Sequence, residues 1–419
     1  MYFSTKVKIL KIVYNIVISI TEKLLQFIGL FNHKIMLGVE GRSKTFSVLE
    51  NNINQNDNCI WFHCASLGEY EQGLPVFKEI RKLYNNHKII LTFFSPSGYE
   101  IRKNSKVADV VVYLPIDTQK NTRRFLGLIN PELTVFVKYD IWPNYLKELK
   151  KRQLRAVLIS ALFRENQSYF KWYGSFMRDK LFGFEHIFTQ DENSKQLLES
   201  INYTSVTVSG DTRFDRVYNQ LDQDNSLDFI TEFKNGNLCF VGGSTWPEGE
   251  KILVDYINNS PKDIKYIIVP HNIKETQIQK LKQNITKPVV LYSEKNNLNL
   301  KEYHVLIIDT IGLLSKIYAY ADIAYVGGAI GNTGLHNTLE PAVFGIPIII
   351  GNRHKEFPEA QAMINNGGMF EVRNSNDFKL VMENFDFNSS SIKAVGDKNF
   401  NFIKKNTGAV IQIMDYLRI

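Results

Sequence analysis

The feature that most constrains this chain is a rhythm. Short apolar runs rich in Val and Ile alternate with longer mixed segments, and the whole pattern occurs twice. The first series is 59–64 (CIWFHC), 88–94, 110–113, 133–137, 155–159, 186–189 and 205–208. The second is 238–242, 265–269, 289–292, 304–308, 323–327 and 346–350. Runs without polar alternation suit strands covered on both faces, hence parallel sheets with helices above and below. Segments 69–85 and 191–200 carry helical spacing between such runs. The pattern predicts an α/β chain of two doubly wound, Rossmann-like domains, and 419 residues suit two domains. The break falls in the polar stretch 216–237, which ends in Asn-Gly-Asn. The domains are therefore expected at 46–215 and 238–419, with 216–237 as linker and the last helix returning to the N-terminal domain. Ligands of such sheets bind beyond the carboxyl ends of the strands, so a cleft between the two domains is expected.

Residues 1–45 form a separate basic and apolar segment. They carry +5 of the chain's formal +7. A nucleic-acid footprint spreads basic residues over a folded domain. Charge beside an apolar segment points instead to anionic lipid. Within 9–31, Lys11, Glu22 and Lys23 interrupt the apolar run, and its longest charge-free stretch is the ten residues 12–21. A simple span needs about 20 apolar residues, and no small-residue cleavage site follows. Three readings fit: an amphipathic helix lying at the interface, a marginal membrane span, or a helix packed on the protein's own core. The first two place the chain at a membrane with its basic flanks toward the cytoplasm. The cysteines, Cys59, Cys64 and Cys239, form no CxxC pair, so they read as reduced core residues rather than a disulfide or zinc framework.

Six turns that follow strands carry the chemistry. In Ala65-Ser66-Leu67-Gly68-Glu69, Gly68 permits close approach to a ligand. Glu69 is a general base at the sheet edge or the second half of a Ser66/Glu69 capping box. Ser95-Pro96-Ser97-Gly98 opens a helix whose amides suit an acceptor phosphate, or is another capping turn. Lys138 and Asp140 precede Trp142-Pro143-Asn144, where Pro143 starts a helix. Arg213 near the domain break reaches a phosphate or carboxylate, or pairs with Asp211 or Asp215. Gly242-Gly243-Ser244-Thr245 turns into a helix whose hydroxyl caps and free amides suit an anion. Gly327-Gly328-Ala329, followed by His336-Asn337-Thr338-Leu339-Glu340, offers a carboxylate for ribose hydroxyls or a further capping box. Its glycine spacing does not match GxGxxG, which disfavours a nicotinamide enzyme.

The order of these motifs resembles the bacterial 3-deoxy-D-manno-octulosonic acid (Kdo) transferase family. The resemblance runs through SLGE at 66–69, LPIDT at 114–118, the Trp-Pro-Asn at 142–144, GST at 243–245, DTIG at 309–312, YVGG at 325–328 and HNTLEPA at 336–342. It implies a GT-B fold and an inverting transfer of Kdo from CMP-Kdo to a lipid A precursor in lipopolysaccharide synthesis. It also implies the cytoplasmic face of the inner membrane, anionic lipids as partners, and neither cofactor nor metal. By the match, Glu69 is the base. Arg213, Ser244, Thr245, His271, Gly328, Asn337 and Glu340 attend the donor. Ser66, Gly68, Ser97, Lys138 and Asp140 attend the acceptor. The chain departs from the common pattern at Lys138 and Asp140, where many members have two glutamates. It departs again at His271 for an Arg, at Trp246 for a His, and at Leu335 for a Gly. The rival expectations are another GT-B nucleotide-sugar enzyme (an epimerase or a lipid-disaccharide synthase) and a non-catalytic, membrane-associated sugar-binding protein.

Overall fold

A computed structural model describes residues 2–261, 263–385 and 389–418. The chain divides into two compact units, Met1–Arg216 with Thr407–Ile419, and Val217–Asn406. In the first, β1 (Cys59–Cys64), β2 (Lys88–Phe93), β3 (Val110–Tyr113), β4 (Leu133–Val137), β5 (Arg155–Ala161), β6 (His186–Thr189) and β7 (Val206–Val208) form one sheet. Its order is β3-β2-β1-β4-β5-β6-β7, with every pairing parallel. In the second, β8 (Leu238–Thr245), β9 (Ile264–Pro270), β10 (Val289–Leu291), β11 (Val305–Ile307), β12 (Ile323–Val326), β13 (Ile348–Gly351) and β14 (Met369–Val372) do the same. Their order is β10-β11-β9-β8-β12-β13-β14, again all parallel. Strand order reverses direction between β1 and β4 and between β8 and β12. Those are the switch points where open α/β sheets bind ligands.

Every run of the two series became a strand. The one strand not anticipated, β14, is at a sheet edge with Phe370 and Glu371 only part covered, so it lacks the unbroken apolar signature. The segment 216–237, expected as a bare linker, is partly structured. Helix Asp228–Lys234 buries Ile230 and Phe233 in the core of the second unit.

Alternation across β1 builds the first core. Trp61 faces Phe125, Phe136 and Tyr145, with ring centroids 5.0, 5.2 and 5.4 Å away. Phe62, on the other face, stacks on Phe77 at 4.1 Å. The C-terminal helix Ala409–Leu417 completes that second face, burying Ile413 and Leu417 beside Phe62. All three cysteines are buried and unpaired.

The N-terminal segment is one helix, Tyr2–Gly29, followed by a second, His33–Asn52. Its span Ile9–Gly29 is long and apolar enough to cross a membrane, yet only 6% of it is buried in the protein. Its polar residues are tied to the first unit. Tyr14 Oη donates to Asp117 Oδ2 at 2.7 Å, Asn144 Nδ2 donates to Asn15 Oδ1 at 3.0 Å, and Asn121 Nδ2 donates to Glu22 Oε1 at 2.7 Å. Ile9, Ile12, Ile16, Ile20 and Phe27 are each more than half exposed. Glu22, one of the three interruptions of the apolar run, is thus a docking contact, and the exposed apolar residues form a stripe along the helix.

Asp117 is the hub of this docking. It is fully buried and accepts from the amides of Asn144 and Tyr145 at 2.9 and 3.0 Å. Those amides open helix Pro143–Lys151, whose own N-cap, Trp142, supplies no side-chain cap. A carboxylate from a distant turn therefore caps that helix and favours its dipole. The LPIDT and Trp-Pro-Asn motifs, apart in sequence, are one structural joint.

Candidate active site

The first cluster lies at the carboxyl ends of β1 and β4. Ser66 caps helix Leu67–Leu83, and Glu69 in its first turn folds back so that Ser66 N donates to Glu69 Oε2 at 3.0 Å. The capping half of the sequence expectation is therefore present, and Glu69 keeps only 8% of its surface exposed. Burial raises its pKa above the ordinary carboxylate value. Asp140 adds to the rise, while His63 and the amides of Ala65 and Ser66 oppose it. A Cβ built on Gly68 would meet only Ser66 Oγ, at 3.9 Å, so the outer side of this turn is open. The Ser95–Gly98 turn abuts it: Ser95 N donates to Ala65 O at 2.7 Å. Ser95 Oγ is committed to Ser97, accepting from its amide at 3.3 Å and lying 2.8 Å from its hydroxyl.

Asp140 sits on His63, a fully buried residue near the end of β1 that no motif in the sequence singles out. Asp140 Oδ2 is 2.5 Å from His63 Nε2, and His63 Nδ1 is 2.7 Å from Thr92 Oγ1. Lys138 has left-handed backbone (φ 69°), and its ammonium lies over the ring of Tyr139 at 5.1 Å. Arg213 Nε donates to Asp211 Oδ2 at 2.7 Å, and Gln72, on the helix of Glu69, donates to Asp211 Oδ1 at 2.9 Å. The ion pair weighed in the sequence is formed, and it ties Arg213 to the same helix.

Arg42 was counted in the sequence only as charge. It is a part-buried brace whose guanidinium donates to Leu114 O, Gly38 O and Phe94 O at 3.1, 3.0 and 2.5 Å. Burial pulls its pKa down to about 10.

The second cluster lies at the ends of β8, β9 and β12. Ser244 and Thr245 still belong to β8, and Trp246, without a side-chain cap bond, is the N-cap of helix Pro247–Asn259. The expected hydroxyl caps are therefore absent. Thr245, 1% exposed, donates its hydroxyl to Glu250 Oε1 at 2.9 Å. That helix also carries Glu248 and Glu250 in its first turn, which weakens it as an anion site.

Beside this helix start stands a stack of rings. Trp246 lies 4.6 Å from His271 with planes 19° apart, and His271 lies 4.5 Å from His336. Trp246 Nε1 donates to His336 Nε2 at 2.8 Å. An indole N–H only donates, so His336 Nε2 keeps its lone pair and that ring is neutral. Burial, then His271, pulls the His336 pKa down to about 4. Two of the sequence departures, Trp246 and His271, thus meet in one structure.

Gly328 has φ 81°, and a Cβ there would overlap the Gly334 carbonyl, so only glycine fits. Asn337 Nδ2 donates to Glu340 Oε1 at 3.0 Å, placing both side chains together beside this turn.

Two parallel doubly wound sheets with motif turns at both switch points define the GT-B class of fold. Solved structures of that class align along most of the chain. A UDP-GlcNAc 2-epimerase from Neisseria meningitidis gives a TM-score of 0.59 at 15% identity, over 87% of this chain and all of the other. Acinetobacter baumannii MurG gives 0.54 at 9% identity, over 86% and 99%. These likenesses speak for the fold alone.

Within the class, residues 40–216 match the family described as 3-deoxy-D-manno-octulosonic-acid transferase (Kdotransferase). A 3-deoxy-D-manno-octulosonic acid transferase of Haemophilus influenzae is 26% identical over 86% of this chain and 86% of its own length. A bifunctional glycosyltransferase/methyltransferase of Fusobacterium nucleatum is 24% identical over 86% of this chain, which spans 57% of that relative.

Proposed function

We propose that this chain is an inverting glycosyltransferase that moves Kdo from CMP-Kdo to a lipid A precursor, without a metal, at the cytoplasmic face of the inner membrane. The observation that carries the reading is Glu69, a carboxylate of raised basicity at the β1–β4 switch point, beside an open turn. Its amide bonds fix its orientation, so an acceptor hydroxyl meets it through the small surface that remains exposed. In the transfer, Glu69 takes the hydroxyl proton. The oxygen bonds to the anomeric carbon of Kdo as the bond from that carbon to the CMP phosphate breaks, which inverts the centre. The Gly328 turn, Asn337 and Glu340 attend the nucleotide.

The test is incubation with CMP-Kdo and a tetra-acyl lipid A precursor in detergent containing EDTA, followed by mass analysis of the lipid. A Kdo adduct formed from CMP-Kdo and not from UDP-sugars is expected. Transfer from a UDP-sugar, or dependence on a divalent cation, contradicts the reading.

The exposed stripe of helix Tyr2–Gly29 supports the membrane half of the proposal. A helix tied to its own domain at residues 14, 15 and 22 has an apolar face free to lie in the headgroup region, parallel to the surface. Lys147 presses on Lys11 of this helix. That contact, with burial and the neighbouring Lys180 and Arg123, lowers the Lys147 pKa to about 8, which favours an anionic surface nearby. Replacing both Ile16 and Ile20 by Asp is expected to reduce binding to vesicles containing anionic phospholipid at least about tenfold. Flotation with the vesicles reads it, and transfer to detergent-dispersed acceptor persists.

A further inference from the structure

The loop after β5 carries an exposed pair of rings. Trp172 is 87% exposed and Tyr173 56%, and the two meet edge to face at 5.6 Å. Single exposed apolar side chains are ordinary, but an indole this bare is not, because tryptophan is well covered on average. The backbone beneath the pair is closed. Arg178 Nε donates to Tyr169 O and Arg178 Nη2 to Lys171 O, each at 2.8 Å. Lys171 N donates to Ser168 O at 3.2 Å, and Gly174 N to Lys171 O at 3.0 Å. A Cβ at Gly174 would overlap the Ser168 carbonyl, so the turn closes only on glycine. Tyr169 and Phe170 point inward, on to the buried ring of Phe163 at 6.0 and 5.7 Å. The loop is thus pinned to the core by two rings and holds two others out in solvent.

We propose that the Trp172–Tyr173 tip is a second bilayer contact of the first unit, seated among the headgroups of anionic phospholipid. This rests on the membrane reading of helix Tyr2–Gly29. Indole and phenol each join an apolar body to a polar group, which suits the layer between acyl chains and water. Between 164 and 180 stand four basic residues, Arg164, Lys171, Arg178 and Lys180, against the acidic Glu165 and Asp179, a balance that favours an anionic surface. Phe176, in the helix that follows the tip (Ser175–Leu181), packs on Tyr14 of helix Tyr2–Gly29 at 5.5 Å, which joins the tip to the helix with the exposed apolar stripe. The loop also leaves the right edge of the sheet. β5 pairs parallel with β4, and β4 with β1, so the tip stands at the same end as the turns bearing Asp140 and Glu69. A single helix lying on a bilayer leaves its domain free to roll about the helix axis. A second contact at this edge fixes the roll and turns the Glu69 end toward an acceptor held in the membrane.

The experiment mixes the full chain with vesicles of phosphatidylethanolamine and phosphatidylglycerol whose acyl chains carry bromine near the headgroup, a quencher of nearby indoles. Flotation reports binding and tryptophan emission reports the tip. Wild type is expected to float and to be quenched, and Trp172→Phe to float with most of that quenching gone. Trp172→Ala with Tyr173→Ala is expected to bind the vesicles about tenfold more weakly, the scale of exposing a large aromatic side chain again. Its turnover on detergent-dispersed acceptor stays at the wild-type value. Wild type that floats with no quenching, or with quenching that Trp172→Phe keeps, overturns the proposal and leaves the helix reading standing. Wild type that does not float overturns the helix reading and the proposal together. A dimer in sedimentation velocity that the double substitution dissociates assigns the rings to a second copy instead. Turnover in detergent that falls as far as vesicle binding assigns them to the acceptor, and either result overturns the bilayer contact.

Discussion

For the proposed Kdo transfer, replacing Glu69 by Gln is expected to lower kcat by about 10²–10⁴-fold, the usual contribution of a general base, with affinity for CMP-Kdo expected to stay within about a factor of two of wild type. The amide keeps the shape of the side chain and one oxygen for the bond from Ser66 N, so the helix start survives. What it lacks is a basic oxygen for the acceptor's proton. Glu69→Asp keeps a carboxylate one methylene short and retains part of the rate. Steady-state kinetics with donor binding measured by calorimetry separates the two quantities. A Glu69→Gln enzyme that loses donor binding and keeps turnover at saturation assigns the residue to binding instead.

The second large effect is on stability. Asp117→Ala leaves the Tyr14 hydroxyl and the amides of Asn144 and Tyr145 without their acceptor. Buried donors stripped of a partner each cost about 1–3 kcal/mol, so a loss of about 3–5 kcal/mol is expected at pH 5. Chemical denaturation in detergent, followed by fluorescence, measures it. The pH dependence carries a sign. Burial raises the Asp117 pKa from 3.8 to about 6, against hydrogen bonds from Asn144, Tyr14 and Tyr145 that lower it. The folded state then holds this proton more tightly than the unfolded chain. The favourable contribution is complete below about pH 4 and is lost as the pH rises through 6. The cost of Asp117→Ala is therefore about 1 kcal/mol smaller at pH 8 than at pH 5. A cost that grows over that range contradicts the assignment.

The sequence carried the sheets because parallel strands covered on both faces are apolar throughout, a local signal. It carried the motif turns because glycines and capping residues cluster where a strand hands over to a helix. It did not carry β14, an edge strand with a glutamate in its middle. Nor did it carry the partners of the motif residues. His63 and Asp140 are 77 positions apart, and Asp117 and Asn144 are 27 apart. Only the β1–β4 pairing and the fold of the following turns bring them together.

The departures at Trp246 and His271 looked unrelated in the sequence. They face each other because β8 and β9 are neighbours, and His271 N donates to Thr245 O at 2.9 Å. The charged interruptions of the apolar N-terminus weakened it as a membrane span by composition. In the fold, Glu22 among them is a tether to Asn121.

The central claim is that a carboxylate at position 69 removes the acceptor's proton during sugar transfer. The most direct measurement is a single turnover. Enzyme loaded with CMP-Kdo is mixed with excess lipid A precursor, quenched over time, and the lipid is weighed by mass spectrometry. The account predicts a Kdo adduct in one fast phase for wild type, a slower phase for Glu69→Asp, and none on that timescale for Glu69→Gln. Equal single-turnover rates for wild type and Glu69→Gln would contradict it.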